Sequence, residues 1–252
     1  MPSDLLSTLG LQPFRPRPPW LNGDLQTLRD SLRPVQLPPE TGLPVEIPVG
    51  GGDRLLALLD QPLPNGAQAP PPEPAEPLGL VLLMHGLGGS SEREGLRRMG
   101  WTLQHAGFAV LRLNMRGAGP GRTLARGTYA ARCNSDLLPA IRRARELAAG
   151  RPLLGMGISL GGTKLLNALL AEAEERQAAG LAMQGPLLDG FVCISSPLDL
   201  EVCSRQIEAP RNRVYQRWLL QRLVQQTLAD PFGVSDAERI ALEGRAPGGP
   251  LH

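Results

Sequence analysis

Gly157-Ile158-Ser159-Leu160-Gly161 lies between an apolar run, Pro152-Leu153-Leu154-Gly155-Met156, and a helical pattern, Leu165-Leu166-Asn167-Ala168-Leu169-Leu170. A serine between two glycines, where a strand becomes a helix, has the layout of a nucleophile elbow. Such a turn strains the serine backbone and lifts its hydroxyl above the sheet edge. A side chain at either flanking glycine would collide where strand and helix approach. Gly-x-Ser-x-Gly alone is a weak signal, but the buried strand before it and the helix after it nominate Ser159 as a nucleophile.

Upstream, His85-Gly86-Leu87-Gly88-Gly89-Ser90 directly follows the apolar strand Leu78 to Met84. In a fold with such an elbow, one oxyanion-hole N–H comes from the loop after this strand and the other from the residue after the nucleophile. That nominates the backbone N–H groups of Leu87 and Leu160, the loss of one such donor typically costing about 3 kcal/mol of transition-state stabilisation. His85 precedes the elbow, whereas the base follows the serine in chain order. His105 reads as a helix-end residue. His252, the one histidine after Ser159, ends a Gly/Pro tail, a poor place to hold a base within roughly 3 Å of a hydroxyl. Asp199 then has no histidine to orient and reads as a loop or cap residue, as Asp230 and Asp236 read as helix-end residues. The sequence therefore supplies no triad acid or histidine.

Around these motifs the chain alternates strand and helix. Val45–Val49 and Leu55–Leu59 flank Gly50-Gly51-Gly52-Asp53, a predicted β-hairpin. Helices are predicted over Glu94 to Ala106 and from a Ser135 cap to Gly150, and strands over Phe108 to Leu113 and Phe191 to Ser195. Gly180 is a predicted helix stop. Apolar strands alternating with helices indicate a mostly parallel sheet covered on both faces. Arg213 to Leu228 is predicted to present Val214, Trp218, Leu219 and Leu228 as an apolar stripe, and Ser235 to Glu238 forms a capping box before a last helix. The expected organisation is an irregular, proline-rich extension over 1–43 and an α/β domain over 44–252. Within that domain 61–77 is a proline-rich linker loop.

Composition excludes several other classes. The 252 residues carry a net charge of +2, which calls for neither nucleic acid nor an acidic surface. Lys164 is the single lysine. Three cysteines without close pairing argue against a disulfide framework and for a reducing compartment. No signal-like start and no apolar run of about 18–20 residues is present, so a cytoplasmic protein without an integral membrane segment is expected. Gly157 to Lys164 is close to a P-loop, but the lysine falls one position late and no Ser/Thr follows it. Gly117-Ala118-Gly119-Pro120-Gly121 is not a dinucleotide fingerprint. No histidine or cysteine has metal-ligand spacing. No cofactor and no metal is expected. Arg205, Arg211, Arg213, Arg217 and Arg222 read as solvated helix faces.

Taken together, the ordered motifs resemble the YheT-like branch of the α/β-hydrolases (AB hydrolase family 4, esterases related to the abhydrolase-domain lipases). They are Asn22-Gly23-Asp24-Leu25-Gln26-Thr27-Leu28, the His85–Ser90 loop, Asn114-Met115-Arg116-Gly117-Ala118-Gly119, Gly157–Gly162, Ser196-Pro197-Leu198-Asp199-Leu200 and Tyr215-Gln216-Arg217-Trp218-Leu219-Leu220. The resemblance implies an α/β-hydrolase fold and cofactor-free hydrolysis of short-chain or lipid-like carboxylic esters by a Ser-Asp-His triad. Of that triad only Ser159 carries over. It also implies a helical cap over 196–244. Two departures stand out: Asp24 occupies a position where the family usually has histidine, and family members continue into further strands bearing the acid and the histidine. The expected domain is thus one without its C-terminal strands, with Phe191 to Ser195 at a sheet edge. Two alternatives remain open at this point: a truncated or degenerate hydrolase without efficient catalysis, and a non-enzymatic module binding an apolar ligand or a protein.

Overall fold

The computed structural model describes residues 12–32, 35–64 and 76–243, together with Thr8, Gly10 and Gly66. His252, the Gly244 helix stop and most of the 61–77 linker lie outside the described residues. The chain divides into two compact units, residues 1–37 and 38–252. In the first, helix α1 (Gly23–Leu32) starts where the Asn22 side chain accepts the Leu25 N–H at 2.9 Å. Gln26 ties back to the Trp20 carbonyl.

The larger unit is a six-stranded sheet in the order β1-β2-β4-β3-β5-β6. Strands β1 (Leu43–Gly50) and β2 (Asp53–Asp60) form the expected antiparallel hairpin across Gly51 and Gly52, both with positive φ. β2 runs antiparallel to β4 (Ala109–Leu113); β3 (Leu80–Met84), β5 (Leu153–Ile158) and β6 (Gly190–Ile194) continue in parallel. Every residue of β3 and β4 is buried, as an apolar strand between two helical layers should be. One face of the sheet packs Leu80, Leu82, Leu111 and Leu113 against helix α3 (Asn134–Ala148) through Leu138, Ile141 and Ala144, and against α4 (Leu160–Leu169) through Leu165 and Ala168. The other face packs Leu83 and Val110 against helix α2 (Glu94–His105) through Leu96, Met99 and Leu103. α5 (Ala173–Ala178) ends before Gly180 in the left-handed region, as expected.

One expectation is corrected. Helix α3 does not start from a Ser135 cap. Its N-cap is Cys133, whose carbonyl accepts the N–H groups of Asp136 and Leu137, so Ser135 already lies inside the first turn. Tertiary contacts of Cys133 and Asp136 fix that start in place of a local hydroxyl. Helix α7 (Arg213–Leu228) forms as expected, after α6 (Leu200–Glu208) and before α8 (Asp236–Glu243). Of its apolar stripe, Val214 is 79% exposed and Trp218 55%, while Leu219 and Leu228 are partly buried. α7 is held by polar links, Gln226 donating to the Gly117 carbonyl at 3.0 Å. Arg222 lies over the Trp218 ring. The capping box at α8 forms as expected, Ser235 and Glu238 bonding each other's backbone N–H.

Beneath the sheet sits a buried ion cluster with no local sequence signature. Arg112, 3% exposed on β4, donates to both carboxylate oxygens of Asp60 at 2.6 and 2.9 Å. It also donates to both of Glu40 and to the Ser91 carbonyl. Burial opposes the Arg112 charge, but these hydrogen bonds outweigh it and raise its pKa, so the guanidinium stays cationic.

Candidate active site

Ser159 sits between β5 and α4 with φ 51° and ψ −125°, a conformation L residues rarely adopt. It is one of three non-glycine residues with positive φ among the described residues. The strain is held from several sides. Ser159 N–H donates to the Ile194 carbonyl at the end of β6, and the Ser159 carbonyl accepts the Gly162 and Thr163 N–H groups. Thr163 ties the first turn of α4 to the Pro197 carbonyl at 2.8 Å. Neighbouring glycines leave no room for side chains. A Cβ on Gly157 would run into the Gly162 backbone, and one on Gly161 would come within 2.5 Å of the His85 carbonyl. Strand and helix close on each other only because both positions are bare.

The 86–90 loop passes directly over Ser159. A Cβ placed on Gly86 would stand 3.1 Å from Ser159 Cβ and 3.7 Å from its Oγ. Leu87 is the next residue, and Leu160 opens α4, where the first N–H groups of a helix lack intrahelical partners. The sheet thus brings Ser159, Leu160 and the Leu87 segment together from positions about 70 residues apart in the chain. The loop itself is stiff. Gly88 N–H donates to the Tyr129 hydroxyl at 2.7 Å, Gly89 N–H closes a turn on the Gly86 carbonyl, and Asn114 accepts the Ser91 N–H at 2.8 Å. Arg116 in turn pins the following loop, bridging Asp136 on α3 and Asp53 on the hairpin.

His85 is buried. Its Nδ1–H donates to the Gly86 carbonyl at 2.7 Å and its Nε2 accepts the Met115 N–H at 3.2 Å. A carbonyl cannot donate, so this pairing fixes the neutral Nδ1–H tautomer and engages both ring nitrogens. Burial, followed by the Lys164 and Arg93 charges, lowers its pKa to about 4, although the Gly86 bond opposes the shift. His105 ends α2 with Nδ1 on the Trp101 carbonyl and its ring edge against the Trp101 indole. Asp199 caps α6, accepting the Val202 N–H at 2.9 Å. Asp230 pairs with Arg122 at 3.1 Å, a link across more than 100 residues that its helix-end position does not signal. Asp24 lies in the first turn of α1.

A hollow of about 480 Å³ opens beside the loop, lined by Gly88, Ser90, Arg93, Gly119, Arg222 and Gln226 among others. Burial, with the Arg222 charge behind it, lowers the pKa of Arg93. A larger hollow of about 610 Å³ lies between β1, α3 and α5 and touches none of Ser159, Leu160 or Leu87. The first adjoins the glycine loop through Gly88, Gly89 and Ser90.

Strand order and a positive-φ serine at the β5–α4 turn, beneath a glycine loop from β3, define an α/β-hydrolase fold. The chain belongs to the serine aminopeptidase S33 family (Hydrolase_4), which matches residues 75–236. Among curated proteins it is similar to the medium-chain fatty acid ethyl ester synthase/esterase 2 of Saccharomyces cerevisiae, with 30% identity over 106 residues, 42% of this chain and 24% of that protein. It is also similar to phospholipase ABHD3 of Mus musculus, 28% identical over 140 residues, 56% of this chain and 30% of that protein. The chain thus spans a quarter to a third of the length of these relatives. Among solved structures, a soluble variant of the Saccharomyces cerevisiae monoglyceride lipase aligns at TM-score 0.47 with 21% identity, covering 72% of this chain and 55% of that one. An α/β serine hydrolase without lid from Xanthomonas campestris aligns at TM-score 0.43 with 20% identity, covering 65% of each. No helix among the described residues is long and apolar enough to cross a membrane.

Proposed function

We propose that this chain is a YheT-like serine hydrolase of carboxylic esters, short-chain or lipid-like, in which Ser159 attacks the acyl carbon to form an acyl-enzyme. The observation that carries the reading is the strained Ser159 backbone, φ 51°, held at a strand-to-helix turn by three backbone hydrogen bonds. Strain of about 1–3 kcal/mol persists at a position only when the surroundings impose it, and such positions cluster where chemistry is done. The N–H groups of Leu160 and Leu87 hold the oxyanion that develops on the carbonyl oxygen. Helices α6 to α8, within 196–244, form a cap over the substrate. Two relatives whose names include ester synthase/esterase and phospholipase support an ester as the substrate class. The three cysteines are free thiols, in keeping with a cytoplasmic setting.

No imidazole among the described residues is available to Ser159, since both nitrogens of His85 are engaged and His105 bonds within its own helix. Serine without a base is a weak nucleophile at neutral pH. Turnover of p-nitrophenyl acetate by this chain is therefore expected to be slow. A fluorophosphonate probe tests the nucleophile directly: labelling of Ser159 above the Ser159→Ala background is expected. Its absence refutes the enzymatic reading of this chain, and rapid turnover of p-nitrophenyl acetate refutes the missing base.

A further inference from the structure

Lys164, the single lysine of the chain, lies in the first turns of α4 with 2% of its surface exposed. Among the described residues no carboxylate forms an ion pair with it. Asp136, whose charge acts on it from a distance, is already gripped by Nε and Nη2 of Arg116. The Lys164 Nζ lies instead 3.0 Å from Cys133 Sγ, and 4.7 Å from the centre of the Tyr129 ring. A small cavity of about 10 Å³ adjoins the pair, bounded also by Met84, Met115 and Leu137. That is room for about one water-sized molecule. Cys133 is only partly buried. Neither residue has a part in the chemistry proposed for Ser159.

An amine and a thiol held at contact distance are a nucleophile and, once the sulfur is oxidised, an electrophile. We propose that Cys133 and Lys164 form a reversible sulfur–nitrogen cross-link when the protein meets a peroxide. In the first step the Cys133 sulfur attacks one peroxide oxygen. The S–O bond forms, the O–O bond breaks, and the products are the sulfenic acid and water; sulfur loses two electrons and the peroxide gains them. In the second step the Lys164 Nζ lone pair attacks the sulfenic sulfur. The N–S bond forms, the S–O bond breaks, and the departing hydroxide takes a proton from nitrogen to leave as a second water, giving Cys133–S–NH–Lys164 with no further change of oxidation state. Burial lowers the pKa of Lys164 and so favours the neutral amine this step requires. A thiol reductant reverses the link by attacking sulfur and expelling the amine.

The link would tie to sulfur the Lys164 nitrogen that faces the Tyr129 ring, whose hydroxyl holds the Gly88 N–H. The oxidation state of one thiol is thus relayed to the loop above Ser159. The cross-link itself does not depend on the role given to that serine.

The test treats the full 252-residue protein with a few equivalents of hydrogen peroxide, adds dimedone, and maps tryptic peptides by mass spectrometry without reduction. The Cys133 and Lys164 peptides are expected as one species about 2 Da lighter than their sum, uncut after Lys164 and separated again by dithiothreitol. In Lys164→Arg, which keeps the cation but not the nucleophilic amine, dimedone should label Cys133 about tenfold more than in the wild type. Equal labelling in the two proteins overturns the proposal. So does sulfinic acid at Cys133, or an unchanged Cys133 peptide in the treated wild type. The linked peptide is read in the wild type itself, so the result stands even where Lys164→Arg fails to fold.

Discussion

Replacing His85 by glutamine should remove a specific part of the acid sensitivity of this fold. The folded state holds the imidazole neutral, with a pKa lowered to about 4 chiefly by burial, against the ordinary 6.5. Between those two values the unfolded chain binds a proton that the folded chain does not, so stability falls as pH drops through that window. The slope is about 1.4 kcal/mol per pH unit, which makes the loss between pH 7 and pH 4.5 about 2 kcal/mol. Below pH 4 both states are protonated and the contribution stops changing. Glutamine cannot titrate, but its amide oxygen can still accept the Met115 N–H. Urea unfolding of both proteins at pH 7 and pH 4.5 isolates the term, because acid losses from Glu40 and Asp53 are common to both. Those carboxylates have lowered pKa values, so their stabilisation fades at lower pH in either protein. His85→Gln should be the less stable protein at pH 7 and should lose about 2 kcal/mol less on acidification. Equal losses in the two proteins, or an imidazole titrating near 6.5 by NMR in the folded state, would refute the reasoning.

Other substitutions test the elbow and the ion cluster. Gly157→Ala, which drives a methyl into the Gly162 backbone, should cost about 3 kcal/mol in chemical denaturation, whereas Gly95→Ala on α2, with open space around it, should be neutral or stabilising. Ser159→Gly should release backbone strain and stabilise the protein by about 1 kcal/mol while abolishing fluorophosphonate labelling; a less stable variant would count against strain at that turn. Arg112→Met leaves the Asp60 carboxylate buried without its cation and should cost about 3–5 kcal/mol, and adding Asp60→Leu should recover more than half of that in a thermal melt.

The parts of this protein that are local in sequence were legible there. The hairpin at Gly51-Gly52 and the apolar runs of β3, β4 and β5 each state their geometry within a few residues. So does the Ser235–Glu238 box. Ser159 could be singled out because its two glycines and its strand–helix setting are contiguous. What failed depended on partners elsewhere in the chain. Ser135 is a good capping residue, yet Cys133 and Asp136 are held by Lys164 and Arg116, and these contacts move the helix start. The Arg112 cluster joins residues 52 and 72 positions apart and leaves no periodic trace. One hint was present: an arginine inside a strand otherwise composed of Ala, Val and Leu must find carboxylates or break the sheet.

That arginine also bears on how the sheet breathes. β1 and β2 form the outer hairpin, by position the first piece of a sheet expected to open. Arg112 on inner strand β4 grips Asp60 at the end of β2, Glu40 just ahead of β1 and the Ser91 carbonyl after β3. None of the three segments can peel away alone without leaving the guanidinium short of partners in apolar surroundings. Partial opening is thereby made as costly as a much larger disruption. Hairpin amides near Asp60 should then exchange with deuterium on the timescale of the central strands, as one cooperative unit with them rather than as a fraying edge.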